Sequence, residues 1–191
     1  MNIVVKTASG KCIVRPDTTW ERDNEDFFPP EFVDRLSWSP VLFARVSKPG
    51  RSVGEKFAGR YYDEFGYGVL LYPEDLADGS EEGYSCASCL DHTSFLPYPT
   101  FSKKLMEQKP EFRLFAGKDG EKELLFESNA ATDELIRRAI AEVTRYIYIR
   151  IGDLIAVELQ SRKNLCSRSD AEISVWGEVD ESNTTDFNIK F

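Results

Sequence analysis

The sequence predicts an α+β domain that is mostly β, built either as sheet on sheet or as a rolled sheet, with a few helices beside it. Three observations predict this. Short apolar or alternating runs outnumber helical stripes along the chain. A single segment, near residue 140, carries a long apolar stripe at helical spacing. Strands and helices follow one another in mixed order, which argues against a doubly wound parallel sheet.

The elements follow in chain order. Val14 to Asp34, rich in Pro, Asp and aromatic residues, reads as irregular structure with short strand pieces. Val41 to Val46 is an apolar run with one charge and predicts a strand buried on most of both faces. Ser52 to Glu55 has the capping-box pattern and predicts a short helix running towards Tyr62. After Gly66 and Gly68, Val69 to Tyr72 predicts a second short buried strand. Ala77 to Thr100 carries Gly, Ser, Pro and acidic residues throughout and reads as a long surface excursion. Glu111 to Phe115 and Lys122 to Phe126 flank an Asp-Gly turn at 118–120, a hairpin signal. The clearest helix covers Asp133 to Ile149, with Leu135, Ile136, Ala139, Ile140, Val143, Tyr146 and Ile147 on one stripe and Thr132 as N-cap. Strands are expected at Asp153 to Leu159, Glu172 to Trp176 and Phe187 to Phe191.

Length and charge bound the function. With 191 residues the chain is long enough for one domain with a real core and short for two, so residues 1–191 are taken as one unit. The net charge of -9 argues against nucleic acid or an anionic membrane as the main partner, because phosphate binding needs a basic face. No run of about 20 apolar residues is present. The start, Met-Asn-Ile-Val-Val-Lys, lacks the pattern of a secretory signal, so a cytoplasmic location is expected. Four cysteines in a chain of this size do not form a disulfide framework.

Six segments together resemble the fumarylacetoacetate hydrolase family. Val14-Arg-Pro-Asp-Thr18 resembles its KPxT/S segment, with Arg15 in place of the usual lysine. Phe27 to Pro30 and Asp34 to Ser37 resemble its proline and acidic approach to the active site. Gly54 to Asp63 resembles its short helix, Tyr67 to Leu76 a following strand, Thr144 to Ile155 a segment ending in G-D-L-I, and Asp186 to Lys190 its closing strand. The match runs from about Cys12 to the end. The family's N-terminal G-x-N-Y-x-x-H segment is expected to be missing.

The resemblance implies a mixed β-sandwich roll, usually dimeric. It also implies an active site in which an E-x-E pair and a later aspartate hold Mg²⁺, Mn²⁺ or Ca²⁺ against a keto or hydroxy acid. Here the E-x-E positions fall on Ser39 and Val41, and the aspartate on Leu70. The family's lysine falls near Ser88, and its pocket turn near Glu158 to Gln160. Hard cations need oxygen ligands, mostly anionic, so losing all three carboxylates removes what offsets ion dehydration. The expectation is therefore a pseudoenzyme without cofactor. It would act as a binding, regulatory or structural subunit, most simply a homodimer, or paired with an active paralogue. Arg15, Ser39, Val41, Leu70, Ser88 and Glu158 would then be vestigial pocket positions.

Two alternatives remain. Arg15 could clamp a small carboxylate ligand, with Asp91 or His92 moving protons in metal-independent hydrolase, isomerase or decarboxylase chemistry. Against this stand a strand-end surface role for Arg15 and a solvated His92. Cys86 and Cys89 form a lone C-x-x-C that could hold zinc or act as a redox pair. The plainer view is two reduced loop thiols, since a second C-x-x-C is absent.

Overall fold

The computed structural model describes residues 1–118 and 121–191. The chain opens with β1 (Asn2–Lys6) and β2 (Cys12–Pro16), then a 3₁₀ turn at Asp17–Thr19 leads into β3 (Trp20–Glu21). The long β4 (Arg35–Val46) is followed by α1 (Glu55–Ala58) and the equally long β5 (Tyr62–Pro73). Next come α2 (Glu81–Ala87), β6 (Ser94–Phe95), β7 (Phe101–Ser102), a 3₁₀ segment at Lys103–Gln108, β8 (Phe112–Lys118) and β9 (Glu121–Ser128). The main helix α3 (Asp133–Val143) precedes β10 (Leu154–Glu158), β11 (Lys163–Ser167), β12 (Glu172–Val179) and β13 (Ser182–Lys190).

These strands form two sheets, as an α+β, mostly β fold requires. The larger runs β2-β1-β10-β4-β5-β6-β3, with β11 added to β4 and β7 to β5; the smaller is β13-β12-β8-β9. Both β1 with β10 and β3 with β6 pair in parallel, so the large sheet is mixed. Its two path ends, β2 and β3, are joined by only the three residues Asp17–Thr19. That junction forces the sheet to curl on itself into a near-barrel with an inside and an outside.

The two faces are read off by the period of two along each strand. Ile3, Val5, Val41, Phe43, Leu70, Tyr72, Leu96, Leu154 and Ala156 form one cluster, inside the roll. Their neighbours Leu36, Trp38, Leu42, Ala44, Tyr67, Leu71, Phe95 and Ile155 point outward and pack against α3 and the smaller sheet. Stacked rings join the two sheets: Phe95 on Phe187 at 3.5 Å between centroids, and Tyr67 on Phe112 at 4.5 Å.

Several sequence expectations change. Both β4 and β5 are twelve residues long, so the predicted strands at 41–46 and 69–72 are only their middles. Gly66 and Gly68 lie within β5 rather than before it. A Cβ on Gly66 would come 2.5 Å from the Phe43 ring, and one on Gly68 would come 2.2 Å from the Phe95 carbonyl, so both permit close approach inside the sheet. The helix expected from Ser52 is a single turn with Gly54 as N-cap and no side-chain cap. Ser52 is in the left-handed region and its amide, with that of Val53, bonds Thr144 instead.

Residues 77–100 are not a plain surface excursion. They hold α2 and β6, and Ser88, Thr93, Ser94, Phe95 and Leu96 are buried. Thr132 does cap α3, accepting from Leu135 N at 3.3 Å. The helix stops at Val143, however, because the chain turns at Thr144 so that Ile149 can bridge Gly50; Tyr146 is 70 % exposed. The hairpin of β8 and β9 is present, while Asp119 and Gly120 of its predicted turn lie outside the described residues.

Candidate interior site

The inside of the roll collects most of the positions singled out in the sequence. Ser39 and Leu70 are direct cross-strand partners on β4 and β5, and Val41 is two residues along on the same face. All three are completely buried. Glu158 ends β10 in register with Val41, and Arg15 on β2 pairs with Ile3, so both also face inward.

Arg15 is the centre of this interior, fully buried. Its Nε donates to the Ser88 carbonyl at 3.0 Å and one terminal nitrogen to the Thr93 carbonyl at 3.2 Å. The other terminal nitrogen donates to the Leu71 carbonyl at 2.7 Å and to Thr93 Oγ1 at 3.1 Å. The guanidinium also lies over the Tyr72 ring, 4.8 Å from its centroid, a cation–π contact. This corrects both sequence readings of Arg15. It is neither at a pocket mouth nor a surface cap, because its donors are already committed to backbone and hydroxyl oxygens inside the roll. Burial pushes its pKa below the ordinary arginine value, opposed by Tyr72, Tyr84, Glu158 and Cys89 around it. A guanidinium nevertheless keeps its charge.

Tyr72 links that cation to an anion. Its hydroxyl donates to Glu158 Oε1 at 2.7 Å, while Glu158 Oε2 accepts from Ala8 N at 2.9 Å. Burial raises the Tyr72 pKa well above that of a free tyrosine, so the ring stays a neutral donor. Tyr84 of α2 stacks on Tyr72 at 5.8 Å, and Arg162 lies over both rings at 5.1 and 4.8 Å. Ser39 Oγ donates to the Gln160 carbonyl at 2.7 Å, and Ser37 Oγ to Glu74, which pairs with Arg162. Ser88 caps α2 and its hydroxyl donates to the Tyr84 carbonyl at 2.8 Å. The alternation rule alone places Tyr72 on the face of Leu70, so its role was accessible from sequence; those of Leu71, Thr93 and Arg162 were not, since they depend on how the roll closes.

The donor set does not fit a divalent metal. Val41 and Leu70 offer no oxygen, and the Ser39 hydroxyl is engaged. Glu158, the one inward carboxylate among the named positions, already accepts from Tyr72 and Ala8. A fixed guanidinium in the same interior adds repulsion, whereas a hard cation needs six or more oxygens, about that number in all. Among the described residues no group of three or more His, Cys, Asp or Glu side chains converges in a way that could hold a metal.

The other candidates lie elsewhere. Asp91 and His92 are exposed and line a cavity of about 390 Å³ with Glu25, Asp26, Phe28 and Leu90. His92 Nδ1 is 3.2 Å from Glu21 Oε2. Arg15 is not in that cavity, so the three residues of the carboxylate-clamp reading do not line one pocket. Cys86 and Cys89 are both exposed, at the end of α2. A separate cavity of about 670 Å³, between the β1–β2 turn and α2, is lined by Thr7, Ser9, Lys11, Tyr84, Ser85 and Ser88 with others.

The fold is that of the fumarylacetoacetate hydrolase family. The chain is similar to a protein from Yersinia pestis CO92 described as a fumarylacetoacetate hydrolase family protein, with a TM-score of 0.76 and 14% identity over 97% of this chain and 91% of that one. It is also similar to the fumarylpyruvate hydrolase of Pseudomonas aeruginosa in complex with Mn²⁺ and pyruvate, with a TM-score of 0.74 and 12% identity, covering 95% of this chain and 78% of that one. A 5-carboxymethyl-2-hydroxymuconate delta-isomerase from Mycobacterium smegmatis gives a TM-score of 0.70 at 16% identity, over 93% and 68%. No protein-family model and no curated protein sequence matches the chain.

Proposed function

We propose that this chain is a catalytically silent form of the fumarylacetoacetate hydrolase fold, serving as a binding, regulatory or structural subunit. The observation that carries the reading is the filled interior. Where a metal and an acid substrate would need anionic ligands and open space, there is a packed cluster around Leu70 and Val41 and a guanidinium engaged on four oxygen contacts. Fold alone does not carry activity, and the groups that would carry it here are replaced by groups that stabilise. A small ligand would enter the cavity between the β1–β2 turn and α2, not the interior. Pairing with a second copy, or with a paralogue that keeps its carboxylates, belongs to the same proposal. Exposed Tyr146, Tyr148 and Ile151, close together after α3, offer apolar surface for it.

The test is thermal melting and calorimetric titration with Mg²⁺ and Mn²⁺, alongside assays of fumarylpyruvate hydrolysis and of the decarboxylation of small keto acids. No metal-dependent rise in melting temperature and no turnover are expected. Micromolar metal binding with a raised melting temperature, or metal-dependent turnover, overturns the proposal. The competing reading is metal-independent chemistry on small keto or hydroxy acids at the separate cavity of about 390 Å³ that Asp91 and His92 line. It predicts turnover without metal that His92→Asn and Asp91→Asn abolish.

A further inference from the structure

Among the four cysteines, two differ from the rest in access. Cys86 and Cys89 are exposed, Cys12 is half-buried and Cys166 is buried. Burial pushes the Cys166 thiol up to about 12 and also raises that of Cys12, so both stay protonated and poorly reactive near neutral pH.

The exposed pair also lies on a single turn. Cys89 N donates to the Cys86 carbonyl at 3.0 Å, closing a four-residue turn at the end of α2. Such a turn holds its first and last Cα within about 7 Å, overlapping the span of about 4.4–6.8 Å that a disulfide requires. Residues three apart on a helical turn share a face. A third ligand that would make the pair a zinc site is not gathered among the described residues, which favours sulfur–sulfur chemistry over metal binding.

We propose that Cys86 and Cys89 are a reversible dithiol–disulfide site that exchanges with a low-molecular-weight disulfide such as oxidised glutathione. One protein thiolate attacks a sulfur of the glutathione disulfide, breaking that S–S bond, forming a mixed disulfide and releasing one glutathione. The second protein thiolate attacks the mixed disulfide at the protein sulfur, closing the Cys86–Cys89 bond and releasing the second glutathione. Two electrons pass from the protein thiols to the glutathione disulfide, and the two protein protons end on the released thiols. The site is coupled to the interior, because Ser88, between the two cysteines, gives its carbonyl to Arg15, and Cys89 lies within electrostatic reach of that guanidinium. Oxidation would fix the turn that presents this carbonyl. The inference is independent of whether the roll has lost catalysis.

The experiment equilibrates the full chain in glutathione buffers stepped from reduced to oxidised, followed by acid quenching, alkylation and intact-mass and peptide mapping. Cys86 and Cys89 are expected to lose alkylation together, with the protein lighter by two hydrogen atoms. Cys86→Ser and Cys89→Ser, at exposed positions, are each expected to stop at one stable glutathione adduct on the remaining partner. Full alkylation of both thiols throughout, separate adducts on the two in the unmodified chain, or a disulfide that maps to Cys12 or Cys166 overturns the proposal.

Discussion

The chain buries two cores of different character, one on each face of the same curled sheet. The outer core, between that sheet, α3 and the smaller sheet, is mostly apolar, with Thr185 as a buried polar exception, and is held by stacked rings such as Phe95 on Phe187. The inner core is smaller and carries Arg15, Ser39, Tyr72 and Glu158 among its aliphatic residues. Stability alone would make the two alike, since burying polar groups costs free energy unless every one is partnered. The inner core keeps its polar groups and partners them, which fits the loss of catalysis proposed above.

The comparison breaks most sharply at Leu70. Leu70→Asp would place a carboxylate in the inner core, where the Arg15 guanidinium already donates to carbonyl and hydroxyl oxygens. It should destabilise by about 5 kcal/mol or more, enough to unfold most of the chain in a urea titration. If Leu70→Asp stays folded and gains stability with Mn²⁺, the inner region is a dormant metal site and not a core. Phe187→Ala probes the outer core, with an expected loss of about 3–5 kcal/mol from burial and cavity terms. Arg15→Leu leaves the carbonyls of Leu71 and Ser88 without this donor and should cost about 2–4 kcal/mol despite its better hydrophobicity. An unchanged urea midpoint would show that the polar interior is dispensable. Tyr72→Phe removes the hydroxyl that donates to Glu158, for about 1–2 kcal/mol, read in the same titration.

The smallest effect lies outside both cores, at the start of α3. Burial would raise the Asp133 pKa, but hydrogen bonds from Lys103 and Tyr62, with the charges of Lys103 and Arg137, bring it below the ordinary carboxylate range. A depressed folded value means that its contribution is fully present above the unfolded value, about pH 4, and is lost as pH falls through the folded one. The melting-temperature gap between the unmodified chain and Asp133→Asn should therefore be present at pH 6 and close as the pH falls below about 4. A gap that persists to pH 2 would rule this linkage out.

Much of the fold was legible because strands announce themselves by local pattern. The apolar centres of β4 and β5, the amphipathic stripe of α3 with its Thr132 cap, and the alternation in β12 depend on near neighbours. The grouping of Ser39, Val41 and Leu70 came from the family resemblance, not from local pattern, and the β4–β5 register places the three on one face. Arg15 was misread because its environment is built from residues 56 to 78 positions away, which no local window contains. Residues 77–100 were misread for a related reason. Their Ser and Thr side chains look solvated in sequence, yet Ser88, Thr93 and Ser94 are buried: Thr93 and Ser94 meet Arg15 and Thr19 across the roll, while the Ser88 hydroxyl turns back to the Tyr84 carbonyl.

The three-residue turn that joins β2 to β3 has a kinetic consequence. The N-terminal segment pairs with β10, more than 140 residues away, at one end of the sheet path and with β6 at the other. Such distant contacts carry the loop-closure entropy of most of the chain, so the seam of the roll should form late in folding, after the β4–β5 hairpin. Until it forms, β10 and β6 each present an unpaired edge, the kind of surface on which chains associate wrongly. The seam thus acts as a clasp whose two halves meet only when the rest of the sheet is already in place.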